Sequence, residues 1–385
     1  MRDLVLPSAW VRILAIAMLM SALAQQPAAA FDDAALARQA YEGIILPGYA
    51  RFKETARAFA AKTEALCKSP SQTALGDARA AARATLLAWG RIEPLRFGPA
   101  MQKQRLERLL FYPDQHGIVA KQTAKLLAKR DDADIEAEKL AGASVAVLGF
   151  GAVDAALYGH GSDTLASGAP EASFRCRYVH ALAVDIAQIA AETHAEWAGD
   201  YKQQWLQPGA GNKTYLSPKE TTQALYRAYA TEIEVLRAHR LAPALNAAEP
   251  LAASAEAAES KAAGPVNGAA PLLPHSGLGL PFILAAVEGA RDILGPSGFV
   301  AADLADTDKE RSAVAILGSV ATDLSFALRA GEAAVSIAPD PLAADKARAR
   351  LAPMLLSLKN AEETGRAALG DLTGQSLGFN SLDGD

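Results

Sequence analysis

Apolar residues recur at near-helical intervals over most of the chain, and strand-like alternation is scarce. Ile44, Tyr49, Phe52, Phe59 and Leu66 form the first such series, and residues 78–89, 115–127 and 144–158 continue it. Helical spacing resumes over 173–205, 222–241, 280–294, 308–335 and 345–371. Between these stretches stand breakers of the expected kind: Ser69-Pro70-Ser71, Phe97-Gly98-Pro99, an acidic run at 131–134, and glycine-containing loops at 159–170 and 207–217. The pattern predicts an all-α protein built of two packed helical-bundle halves, residues 31–210 and 211–385. Residues 246–274, rich in Ala, Glu, Pro and Gly, read as a flexible insertion in the second half. A faint internal repeat fits that division, since the segment from Leu148 to Gly159 echoes the segment from Leu280 to Gly295.

Composition adds a compartment. Residues 1–30 read as a signal peptide, with Arg2 and Arg12, a short apolar core at 13–20, and Ala28-Ala29-Ala30 before a cut at Phe31. The expected location is the periplasm, with no transmembrane segment in the mature chain. A chain of 385 residues is longer than one core usually serves. Its formal net charge of −5, with both signs interspersed, excludes a nucleic-acid binder. Cys67 and Cys176 are the two cysteines. In an oxidising compartment they either pair, closing a loop of roughly a hundred residues worth about 4 to 5 kcal/mol, or sit apart as small buried apolar residues.

The common catalytic templates are missing. There is no His-Glu-x-x-His, no Gly-x-Ser-x-Gly, and the Gly209 to Thr214 stretch has Asn212 where a phosphate loop needs glycine. The densest charged cluster is Arg91, Glu93 and Arg96 around Pro94, where the residue before proline is expected to leave helical geometry. Glu93 then either reaches the bundle interior as a ligand or pairs with Arg96 at a helix end. His160 lies three residues from Asp163 in a glycine-rich loop and could lend an imidazole to a nearby site. His194, flanked by Glu192 and Glu196, reads as part of a solvated helix face.

Three strings carry a resemblance: Trp89 to Pro99 (Trp-Gly-Arg-Ile-Glu-Pro-Leu-Arg-Phe-Gly-Pro), Gly149-Phe150-Gly151-Ala152-Val153-Asp154, and the C-terminal Leu377 to Asp385. Together they resemble the imelysin-like family of bacterial envelope proteins, which implies two helical-bundle halves. Trp89, Glu93, Arg96 and Gly98 match family-typical positions. In that family a helix carries Gly-x-His-x-x-Glu; here Gly151 replaces the histidine and Asp154 the glutamate. A histidine and carboxylate three apart share one helix face and can share a cation. Asp154 offers only oxygen, so with Glu93 from an adjacent helix it would suit a divalent cation or iron as a hard ion. The structural alternatives are an Asp154 bonded to backbone or to Arg96, and glycines at 149 and 151 that let a neighbouring helix approach. The resemblance implies a periplasmic, non-enzymatic protein of iron acquisition that binds a metal, a metal complex or an envelope or membrane partner. The alternatives are a metallopeptidase, as the family was first classed, and an envelope scaffold whose C-terminal tail is packed through Phe379.

Overall fold

The computed structural model describes residues 31–114, 116–245, 271–301 and 304–374. Residues 1–30, read above as a signal peptide, most of the insertion read at 246–274 and the C-terminal string from Leu377 lie outside the described residues. Within them every regular element is a helix.

In the first half, α1 (Asp33–Ala40) runs through a π-helical turn, Tyr41–Ile45, into α2 (Leu46–Lys68), and α3 (Gln72–Ile92) returns antiparallel to α2. Asp32 caps α1 by accepting from the Ala35 N–H at 2.8 Å, and the Ser71 hydroxyl caps α3 through the Ala74 N–H. Short α4 (Arg105–Leu109), α5 (Ile118–Lys129), α6 (Ala137–Ala141) and α7 (Gly149–Leu157) follow. Then α8 (Pro170–Ala198) closes the bundle against α2, and α9 (Asp200–Leu206) leaves it at Gly199. Proline as the first residue of α8 fits a position whose N–H needs no intrahelical partner.

In the second half, α10 (Pro218–Glu234) continues through a second π-helical stretch, Val235–Leu241. After it come α11 (Gly279–Leu294), α12 (Asp308–Val335) and α13 (Ala352–Thr373). Helix α11 is apolar on almost every side because it lies between α3 of the first half and α10 and α12 of the second. Close packing here depends on glycine: a Cβ on Gly289 would fall 2.0 Å from the Arg91 carbonyl oxygen. The segment leading into α1 is tied across as well. Phe31 stacks on Phe299, and its N–H donates to Glu310, which also completes the capping box of α12 with Thr307.

One expectation changes. Residues 271–274 are not part of a free insertion, since Leu272 and Leu273 are buried. Helix α12 is long and apolar enough, by length and composition, to cross a membrane. Its apolarity also serves a core: Leu317, Val320, Leu324 and Leu328 form a buried stripe, and α12 packs on α11 and α13.

Candidate functional site

Trp89, Arg96 and Gly98 hold the corner where α3 ends. Trp89 is buried against Phe52, with ring centroids 5.4 Å apart. Phe97 stacks on Trp205 at 5.0 Å, and Gly98 takes φ +63° with no room for a side chain, because a Cβ would lie 2.9 Å from Trp197. Glu93 does not leave helical geometry ahead of Pro94. It keeps φ −56° and ψ −34°, its N–H bonds the Trp89 carbonyl, and its carboxylate is anchored on both oxygens.

Those anchors are guanidiniums. Glu93 Oε1 accepts from Arg96 Nη2 at 2.8 Å and from Arg240 Nη2 at 2.6 Å, and Oε2 accepts from Arg240 Nη1 at 2.8 Å. Glu232, fully buried, takes weaker contacts of 3.4 Å from Arg240 and Arg96. The Arg240 guanidinium also covers the Phe282 ring at 5.0 Å. The π-helical stretch holds Arg240 in the interior, buried like Glu93 and Glu232. Burial raises the Glu93 carboxyl, but Arg240 and Arg96 outweigh it and hold the group below its ordinary value. Glu232 goes the other way, to about 7, through burial and the charge of Glu93.

A pH dependence follows. Between the ordinary 4.5 and the folded value of about 7, folded Glu232 keeps a proton that the unfolded chain has released. Its contribution to stability is therefore complete at low pH and is lost as pH rises through 7. Thermal melts from about pH 5 to about pH 8 should show wild type losing stability relative to Glu232→Gln, which has no such proton. Parallel curves for the two proteins would contradict the assignment.

Asp154 has different neighbours. It lies on α7, buried, and its Oδ2 and Oδ1 accept the backbone N–H groups of His275 and Ser276 at 3.0 and 2.9 Å. Burial raises its pKa, and the bonds from the 275–276 segment oppose this. Gly149 begins the helix at φ +62°, with the Arg108 carbonyl oxygen 2.2 Å from where a Cβ would stand. At Gly151 a Cβ would meet Val119 of α5 at 3.2 Å. The face that a motif histidine would occupy is thus directed at an apolar neighbour.

Glu93 and Asp154 therefore do not form one site. The first is neutralised by two guanidiniums and the second is a clasp for a backbone segment. Among the described residues no group of three or more His, Cys, Asp or Glu side chains is placed to hold a metal ion. The residues present do not fit the divalent cation or iron that the motif suggests. An Asp154→Asn variant, which turns one acceptor into a donor facing an N–H, should lose about 1 to 3 kcal/mol. It should also speed proteolytic cleavage near 271–278, and unchanged cleavage would contradict the clasp.

His160 stands where α7 has ended, and its carbonyl accepts from Arg175 at 2.9 Å. Its side chain lines a groove of about 460 Å³ between α5, α7 and α8, together with Arg175 and His275. The groove adjoins a smaller cleft of about 50 Å³ lined by Tyr112, Gly151 and Asp154, with Ala120, Ala155 and His275 common to both. His194 is only partly solvated and its Nδ1 lies 3.2 Å from Lys53. Its neighbours Glu192 and Glu196 instead grip Arg105, whose Nη2 lies 2.6 Å from Glu196. Arg105 is buried on α4, in the polar string Lys103-Gln104-Arg105-Leu106-Glu107-Arg108, where nothing in sequence marks it as the inward cation. Cys67 of α2 and Cys176 of α8 are joined, with Cα atoms 5.6 Å apart.

A family model described as imelysin, peptidase M75, matches residues 45–263. No curated protein matches the sequence. Among solved structures, an imelysin-like protein from Psychrobacter arcticum 273-4 is similar with a TM-score of 0.69 and 19% identity, over 91% of this chain and 100% of that one. A chain described as an iron-regulated protein A precursor from Parabacteroides distasonis ATCC 8503 is similar with a TM-score of 0.67 and 13% identity, over 91% of this chain and 96% of that one. At these identities the likeness is one of fold.

Proposed function

The chain belongs to the imelysin family, and from that premise we propose a periplasmic, non-enzymatic protein of iron acquisition that binds a metal complex or a partner protein. The observation that carries the reading is the engagement of Asp154: both carboxylate oxygens of the motif's acidic residue hold backbone N–H groups of 275–276. A bare ion would have to displace them, with no imidazole at Gly151 to repay the loss. What the motif helix offers instead is a structured groove beside it. The iron connection draws support from the solved neighbour described as an iron-regulated protein A precursor.

Deleting the coding sequence in its host should slow growth under iron limitation and leave iron-replete growth unchanged. Equal growth in both media would contradict the iron connection. Hydrolysis requires an ion-activated water and a base, so chelator-sensitive cleavage of an unstructured protein, abolished by Asp154→Ala, would overturn the non-enzymatic reading.

A further inference from the structure

We propose that the groove between α5, α7 and α8 binds a compact polycarboxylate anion, with Arg175 as its anchor and His160 and His275 as flanking donors. Arg175 stands apart from the other inward guanidiniums. Arg96, Arg105, Arg108 and Arg240 each lie within ion-pair distance of a carboxylate. Among the described residues Arg175 has no such partner. Its Nη1 donates to the Ala156 carbonyl at 3.1 Å and its Nη2 to the His160 carbonyl at 2.9 Å, which places the guanidinium beside the end of α7. Two of five N–H donors are thereby used, and the fork geometry of the remainder matches a carboxylate. Burial acts on Arg175 with no opposing charge, lowering its pKa while leaving it a cation.

The rest of the lining agrees with an anion. The other polar side chains of the groove are Thr123, His160 and His275, and the walls are mainly alanine with Leu127. Among the described residues no carboxylate lines it. In the adjoining cleft, Asp154 and Asp114 are buried and turned to backbone N–H groups, Asp114 accepting from Ile118 and Val119. A chain of net charge −5 thus presents here a concave surface on which, among the described residues, the charged side chain is the Arg175 cation. A volume of about 460 Å³ is that of a small-molecule site. One guanidinium flanked by two imidazoles favours several carboxylates on one compact skeleton over a single anionic group. Such anions are chelators of hard cations, so the ligand class deepens the iron reading and rests on it.

Isothermal calorimetry with metal-free citrate tests the groove, using acetate and inorganic phosphate as comparison ligands. Citrate should bind saturably, and Arg175→Lys should weaken it about ten-fold or more, because an ammonium cannot give the paired bonds of the fork. Ala124→Glu keeps the helix-end bonds of Arg175 and places a carboxylate on an exposed groove position of α5. It should abolish binding with the melting curve unchanged. Absence of citrate binding, or binding indifferent to Ala124→Glu, would overturn the proposal, and phosphate or acetate binding as tightly as citrate would overturn the ligand class. Since the probe carries no metal, failure here is separable from a failure of the iron-limited growth test.

Discussion

Replacing Arg240 by methionine should cost about 3 to 5 kcal/mol of folding stability, the usual penalty for removing one partner of a buried ion pair. Arg240 is almost wholly enclosed, between a Glu93 held ionised and a Glu232 that keeps its proton to about pH 7. Without it, Glu93 retains only Arg96, which is partly open to water and cannot serve both of its oxygens. The loss should be felt across the molecule, because Glu93 closes α3 of the first half while Arg240 and Glu232 belong to the second. Urea denaturation measures it. A Glu93→Gln, Arg240→Met double variant should recover part of the loss, since no bare carboxylate is then enclosed. A single-variant loss below about 1 kcal/mol would mean that the pair behaves as a surface bridge.

Removing the Cys67–Cys176 bridge should be of similar weight. The two residues are 109 apart in sequence, and a loop of that length corresponds to about 4 to 5 kcal/mol of unfolded-chain entropy. The bridge pins the C-terminal end of α2 to α8, two helices already packed together, so the folded state should be little altered without it. A Cys67→Ala, Cys176→Ala variant should keep its helical content and unfold at markedly lower urea. The same shift should appear in wild type with reductant present. Coincident curves with and without reductant would contradict the prediction.

Helical periodicity and breakers made most of the fold legible in the sequence, because each helix buries one stripe and ends at its own turn residues. Residues 308–335 were delimited by spacing alone, and the structure adds the capping box of Thr307 and Glu310 that starts the helix. The corner at 89–99 was legible as a cluster, but the geometry of Glu93 was not. The bias imposed by Pro94 is weak beside an i to i−4 backbone bond and two guanidiniums. Glu232 and Arg240 gave a fainter signal, charges set among Tyr229, Ile233, Leu236 and Leu241 on an apolar face. Glu93, the partner of Arg240, is 147 positions away, beyond any local pattern. The same holds for Asp154, whose partners are backbone N–H groups 121 and 122 residues away in a segment without periodicity. Backbone donors carry no residue identity, so the sequence offered a backbone-bonded Asp154 only as the alternative to a ligand and gave no sign of which segment it holds.

The metal content of the chain from residue 31 onward tests that clasp most directly, by elemental mass spectrometry after incubation with iron, zinc, calcium or copper and desalting. With Asp154 bonded to 275–276 and Glu93 neutralised by arginines, retained metal should be far below one per chain and no different in Asp154→Ala. One metal per chain, lost in Asp154→Ala and in Glu93→Ala, would contradict it.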